Sequence, residues 1–385
     1  MKISIFYAKI YYYVTSFHPK LFNELVSKET LIDFVDVTKI TFEDIEKIAT
    51  SSDIIIIDNS LMWCIQKENH KDFYFYINLH NKKYNASHYS KIVDYLFIQK
   101  KKKLFWFHGD SHGLDVSRNI RLDGLKEFKN DIINNTDGII IAMHPNKFET
   151  SLDIKYLDDN FLKLPNPALN INDITKNKIV IEVPHCVDIK EAISCSKKWD
   201  ICIPGVSYKT RKIAEESINT SNLKILPFKR ITKIKYYFDV IVNKFLSTIA
   251  RNEMGYKFIR RLSASSKINF ICGSGYKYFV RKFLEIPLYN TAMICYPVKD
   301  MEDYGFVNGK HAIFCKPEDV GEACVNLLKN PALIEELAKN AYILVVEKHT
   351  VTARATQLIK ALELLAEDKL VESYFKDGEY FYETK

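Results

Sequence analysis

Residues 271–287 (Ile-Cys-Gly-Ser-Gly-Tyr-Lys-Tyr-Phe-Val-Arg-Lys-Phe-Leu-Glu-Ile-Pro) hold the densest set of groups able to grip a phosphorylated ligand. Gly273 and Gly275 flank Ser274, Tyr276 follows, and Arg281, Lys282 and Glu285 lie within the next nine positions. Glycine lets a backbone approach a ligand closely, and a helix start offers unpaired N–H groups and a positive dipole end to phosphate. Read as strand, glycine turn and helix, the stretch suits a diphosphate held by Arg281 and Lys282. Glu285 has two acceptor oxygens, enough for both hydroxyls of a ribose. The same glycine pattern also describes an ordinary strand-to-helix turn.

A second constellation lies at Trp106-Phe107-His108-Gly109-Asp110-Ser111-His112-Gly113. Two imidazoles and a carboxylate follow a strand, where open α/β sheets place their ligands. Asp110, His108 or His112 can there take the proton of a reacting hydroxyl. The alternative is a hydrogen-bonded turn in which Asp110 caps the next segment. Met143-His144-Pro145 after the next strand is a further candidate, whereas His185 reads as a linker residue. His108, Asp110 and His112 form an incomplete zinc set with no Cys pair nearby, and Asp158-Asp159 sits in a polar loop. No metal site, P-loop or serine nucleophile elbow is expected.

The elements that would position these groups alternate along the chain. Strands are predicted at 2–7, 33–37, 53–58, 103–107, 138–143 and 178–183, and a helix at 41–51 carries Phe42, Ile45 and Ile48 on one face. The four isoleucines of 54–57 predict a strand buried on both faces. The pattern restarts with strands at 200–204, 267–272, 292–296 and 311–315, and helices at 209–218, 318–328, 331–346 and 351–366. Repeated βα units imply doubly wound parallel sheets. Two segments depart from this alternation. Residues 66–95 are polar, and residues 223–261 carry ten Lys or Arg against Asp239 and Glu253. The latter reads as a helix pair with a solvated basic face, as an amphipathic surface for an anionic membrane, or as a nucleic-acid patch without a recognised module.

The chain has 385 residues, enough for two cores. With 47% hydrophobic and 27% charged residues it is globular rather than disordered. Its eight cysteines form no CxxC pair, no apolar run approaches a membrane span, and the first residues lack a signal-peptide core. A cytoplasmic protein is expected, and its net charge of +7 favours phosphate groups or an anionic membrane face.

From Lys198 to about Ala366 the chain resembles the spore-maturation-protein-like, family-4-related glycosyltransferases of the GT-B fold. Val183-Pro184-His185-Cys186-Val187-Asp188 resembles their "PHGVD" linker, with Cys186 in place of glycine. Trp199 to Gly205 followed by Lys209-Thr210-Arg211 resembles the opening of their second domain. Ser265-Ser266-Lys267-Ile268-Asn269-Phe270 resembles "SKIxLN", Phe283 to Pro287 resembles "FFEIPA", and Glu347-Lys348-His349-Thr350 with Arg354 resembles "eeHtyxhR".

The resemblance implies an α/β protein of two Rossmann-like domains facing across a cleft. Residues 1–187 would bind the acceptor, residues 188–366 the nucleotide sugar, and residues 367–385 would form a tail against the first domain. It implies that Glu285 holds the nucleotide ribose and that Gly205, Lys209 and Arg211 face the donor diphosphate, with Lys209 and Arg211 otherwise a solvated helix start. Lys277 stands where the first glutamate of the family's EX7E pair would fall. The implied activity is metal-independent transfer of a sugar from a nucleotide diphosphate sugar to a hydroxyl of a glycan or lipid-linked acceptor, with no further cofactor and no nucleic acid. A GT-B nucleotide-sugar epimerase and a non-catalytic sugar-nucleotide or membrane-surface binding protein are the alternatives.

Overall fold

The computed structural model describes residues 1–8, 18–29, 31–58, 60–61, 86–99, 103–108, 134–147, 154–156, 175–205, 208–228, 257–273, 277–299 and 301–385. Strand β1 (Ile3–Tyr7) pairs in parallel with β2 (Ile32–Asp36) across helix α1 (His18–Lys28), and with β3 (Ile54–Asp58) on its other side. All five residues of β3 are buried, as four consecutive isoleucines require. Helix α2 (Phe42–Ser51) begins at a reciprocal cap: Thr41 Oγ1 accepts from Asp44 N, and Thr41 N donates to Asp44 Oδ2 at 3.1 Å. Beyond α3 (Ala86–Phe97), strands β4 (Lys103–His108), β5 (Gly138–Ile141) and β6 (Ile179–Glu182) continue the parallel sheet.

A second parallel sheet follows. Strand β7 (Trp199–Cys202) leads to α4 (Lys209–Asn219), and β8 (Ser266–Cys272) leads to the four-residue α5 (Lys282–Glu285). After β9 (Ala292–Tyr296), the strand expected at 311–315 is reduced to β10 (Ile313–Phe314). The order is β10-β9-β8-β7, all parallel. Helices α6 (Val320–Leu328) and α7 (Pro331–Lys348) come next, the latter capped by Asn330 Oδ1 on Leu333 N at 3.1 Å with Pro331 in its first turn.

The chain then crosses back. Val187 N donates to His349 O at 3.1 Å and Val351 N to Val187 O at 2.9 Å, so the two crossings lie side by side. Arg354, fully buried, ties them together: Nε donates to Pro184 O at 3.1 Å, and Nη2 donates to His185 O at 3.4 Å and to His349 Nδ1 at 2.9 Å. Because arginine can only donate, His349 carries its proton on Nε2, which donates to Tyr304 O at 2.8 Å.

Helix α8 (Val351–Ala366), which the sequence reading places with residues 188–366, instead packs on the first sheet. Its Ala355, Leu358, Leu362 and Leu365 share a core with Ile3, Ile5, Leu21 and Phe22. An apolar helical stripe requires a sheet to cover but does not specify which one. The last residues form the hairpin β11 (Leu370–Lys376) and β12 (Glu379–Thr384), with β11 parallel to β6. Among the described residues the first sheet thus has eight strands in the order β12-β11-β6-β5-β4-β3-β1-β2. Among the described residues no helix is long and apolar enough to cross a membrane. Most of the basic segment, residues 229–256, lies outside the described residues. At its start Leu226 and Phe228 are buried beside Cys202.

Candidate functional site

The carboxyl ends of the parallel strands of the second sheet share one edge, where ligands bind in such sheets. Three of the expected residues meet there. Gly205, just past β7, has φ +111°, and a Cβ at this position would lie 2.6 Å from Arg211 Nη1 and 3.3 Å from Lys282 Cε. Both long cationic side chains therefore converge on a point only glycine can occupy. Arg211 lies in the first turn of α4, is buried, and has its guanidinium carbon 5.2 Å from the Tyr208 ring centre. Lys282 opens α5. Burial lowers its pKa below the ordinary lysine value and the Arg211 charge lowers it further, with Glu285 opposing. Two cations held this close mark a place where an anion is stabilised. Lys209, half-buried, is the first residue of α4, and the Tyr208 side chain at the N-cap position does not cap that helix start.

Gly273 is also sterically required: a Cβ there would sit 2.2 Å from Val298 Cγ1 and 2.7 Å from Tyr278 O. Ser274, Gly275 and Tyr276 lie outside the described residues. The helix expected to start at this turn does not. Lys277 takes φ +50°, the chain runs on without helix, and α5 begins only at Lys282. Phe279 explains the departure: it is buried, with its ring centre 5.2 Å from that of Phe283 and 4.3 Å from that of Tyr304. Tertiary burial overrides the local helix pattern, and the helix start beside Gly205 and Arg211 is that of α4.

Arg281 departs from expectation as well. Instead of facing a diphosphate, it engages protein groups with three nitrogens. Nε donates to Cys186 O at 3.2 Å, Nη1 to Glu285 Oε1 at 2.5 Å, and Nη2 to Glu191 Oε2. Glu191, buried in the linker after Val187, also meets Lys20 Nζ at 2.6 Å and Arg260 Nη2 at 3.3 Å. Burial alone would raise the Glu191 pKa, but Arg281, Arg260 and Lys20 outweigh it and hold the carboxyl below its ordinary value. Glu285 is half-buried at the end of α5, three residues from Lys282.

In the first half, His108 ends β4; its side chain and Asp110 and His112 lie outside the described residues, as do Asp158 and Asp159. His144 is buried against the C-terminal hairpin, with Nε2 3.1 Å from Glu372 Oε2 and its N–H donating to Glu182 Oε1 at 2.8 Å. These contacts seat it between β6 and the hairpin. His185 lies in the linker, as expected, its carbonyl held by Arg354.

One contact has no signal in the sequence. Tyr156, from a short turn in the first half, donates its hydroxyl to Glu318, 2.8 Å from Oε2 and 3.0 Å from Oε1. Its carbonyl accepts from Thr210 Oγ1 at 3.2 Å, and its ring centre lies 5.0 Å from that of Tyr296 at the end of β9. Lys155 pairs with the same Glu318. A first-half residue is thus seated on the start of α4, next to Arg211. No motif surrounds it.

Comparisons with known proteins agree with this architecture. Residues 243–360, which include Gly273, Arg281, Lys282 and Glu285, match the family described as glycosyl transferase-like. No sequence among the curated proteins matches the chain. Among solved structures, sucrose-phosphate synthase from Thermosynechococcus elongatus superposes with a TM-score of 0.55 at 11% identity, covering 96% of this chain and 100% of that one. HepE from Anabaena, solved in complex with UDP and glucose, superposes with a TM-score of 0.51 at 9% identity, covering 94% and 99%. Residues 243–360 therefore match a glycosyl transferase-like family within a chain of GT-B fold, whose described residues form two mainly parallel sheets joined by a double crossing.

Proposed function

We propose that the chain transfers a glycosyl group from a nucleoside diphosphate sugar to a hydroxyl of a glycan or lipid-linked acceptor. The observation that carries this reading is the convergence of Arg211 and Lys282 on Gly205, beside Glu285, at the ligand-binding edge of the second sheet. A departing nucleoside diphosphate gains negative charge as the sugar bond breaks. Preorganised cations and the α4 N-terminus stabilise that charge without a divalent ion. Glu285 takes the ribose hydroxyls. Asp110, His108 or His112, at or just after the end of β4 in sequence, removes the acceptor proton, and closure of the cleft excludes water. The HepE structure with UDP-glucose supports a UDP-sugar as the first donor to try. The narrower likeness to spore-maturation-type enzymes rests on the sequence landmarks. The basic segment 223–261 would keep a cytoplasmic enzyme at the inner membrane face where lipid-linked acceptors lie; sedimentation with anionic but not neutral vesicles tests it.

Thermal stabilisation by UDP, GDP, ADP or CMP tests the donor site, and no response to any of them removes the reading. Sugar transfer that persists in EDTA supports the metal-free chemistry. Interconversion of nucleotide sugars without acceptor would instead indicate an epimerase, and nucleotide binding without turnover a binding protein. Glu285→Ala should weaken nucleotide binding, whereas Asp110→Asn should leave it intact and lower transfer.

A further inference from the structure

Arg281 joins three acceptors that come from two different parts of the chain. Cys186 O and Glu191 belong to the linker between the sheets, and Glu285 belongs to the nucleotide half-site. A guanidinium is a planar fork with fixed N–H directions. Two corners pinned on the linker therefore set the direction of the third, which is the Nη1–H that meets Glu285 Oε1. Glu191 is pinned in turn by Lys20 of α1 and by Arg260, so the fork is anchored to both halves of the molecule. The Arg281 and Glu285 side chains are only 15% and 18% exposed, which shields the pair from solvent screening.

Glu285 keeps acceptor capacity in this arrangement. A carboxylate offers about four lone-pair sites, and among the described residues Oε2 accepts no hydrogen bond while Oε1 takes one from Arg281. A flexible glutamate must lose side-chain freedom when it grips a ligand, and a carboxylate already oriented avoids that cost.

We propose that Arg281 is a positioning residue that orients Glu285 toward the two hydroxyls of a nucleotide ribose and makes that orientation depend on the linker carboxylate Glu191. The proposal rests on the reading of Glu285 as the ribose contact. It replaces the expected role of Arg281 at the diphosphate with one at the sugar of the nucleotide.

The test compares a ribonucleoside diphosphate with its 2′,3′-dideoxy counterpart, using whichever of UDP, GDP or ADP stabilises the wild-type chain. Wild type should prefer the ribo form by ~10–100-fold, the range for hydrogen bonds to a charged group. Arg281→Met should bring that preference to within about threefold while the dideoxy affinity changes little. Glu285→Ala should do the same, and the double variant should lose nothing more. Glu191→Gln should give an intermediate preference, because the fork keeps Glu285 but loses its charged anchor. A merely structural brace predicts another outcome: both nucleotides weaken equally and the ribo preference survives, which overturns the proposal. Should Arg281→Met fail to fold, Arg281→Lys carries the test. An ammonium lacks the planar fork that fixes the direction of the contact to Glu285, so the preference should fall several-fold, and an unchanged preference overturns the idea. A wild-type chain that binds no nucleoside diphosphate, or binds ribo and dideoxy forms equally, overturns the ribose reading of Glu285 and the proposal with it. A wild-type preference that survives Arg281→Met overturns only the positioning role.

Discussion

Lys147 Nζ lies 2.9 Å from Glu182 Oε2 in the interior, where the two side chains are 5% and 0% exposed. Glu182 is surrounded by donors: Oε2 also accepts from Phe375 N at 2.7 Å, and Oε1 from His144 N and from Tyr304 OH. Lys147 in turn donates to Phe375 O and lies 4.5 Å from the Tyr304 ring centre. This pair fastens the C-terminal hairpin to β6. Breaking one partner of a buried pair typically costs ~3–5 kcal/mol because the other charge is left without compensation. Glu182→Gln should cost about that much, since an amide also turns an NH2 toward N–H donors. Urea denaturation reads it, and a loss under about 1 kcal/mol would show the pair to be dispensable.

His349 makes stability depend on pH in a window of its own. Burial first and the Arg354 charge second push its pKa down to about 3, against an ordinary value of 6.5. A depressed folded pKa means the stabilisation is complete above the unfolded value and is lost as pH falls toward the folded one. Between pH 7 and pH 5 the loss is about 2 kcal/mol for this one group. His311, also lowered by burial and Lys310, adds a contribution of the same sign. Unfolding free energies at pH 7 and pH 5 for wild type and His349→Gln isolate the first term. The variant should have the flatter profile, and identical slopes would refute the assignment. Glu182 enters only at lower pH. Burial works to raise its pKa, but Lys147 and the surrounding donors hold it below the ordinary glutamate value.

What was legible in the sequence was local. The four isoleucines of β3 announce a strand buried on both faces within a few residues, and the structure has it. Gly205 was legible through the resemblance of residues 199–211 to the opening of the family's second domain, and its left-handed φ leaves the position to glycine. The role of Arg281 was not, because its partner Glu191 lies 90 positions away and only the folded linker brings them together. The helix after Gly273 was misread because the burial of Phe279 decides that segment. Tyr156 had no signal at all: its partners Thr210 in α4 and Glu318 before α6 belong to the other half of the chain.

The convergence of Arg211 and Lys282 predicts which part of a nucleotide each variant loses. Removing a charge-assisted contact to phosphate costs ~1.5–3 kcal/mol, or roughly 10–150-fold in affinity. Arg211→Met and Lys282→Met should weaken a nucleoside diphosphate by that factor while leaving the corresponding nucleoside nearly unchanged. Titration calorimetry with both ligands checks it, and equal weakening of the two would move the cations away from the diphosphate. Binding should also draw a proton in alkaline buffer. The pKa of Lys282 is lowered by burial and by Arg211, and an arriving anion opposes that shift.

Tyr156 offers a separate handle on the contact between the two halves. Its hydroxyl meets both oxygens of Glu318, and its backbone holds Thr210 in the first turn of α4, one residue before Arg211. Tyr156→Phe removes only the hydroxyl and leaves the ring against Tyr296 and the Lys155–Glu318 pair in place. Stability should therefore fall by no more than ~3 kcal/mol, the upper value for one hydrogen bond to a charged group. The larger effect should be kinetic. With the first half less firmly seated on α4, a bound nucleoside diphosphate should dissociate several-fold faster, whereas its association rate should stay close to that of wild type. Stopped-flow measurement with a fluorescent nucleotide separates the two rates. If the dissociation rate is unchanged in both Tyr156→Phe and Tyr156→Ala, the contact is packing between the halves and takes no part in retaining the donor.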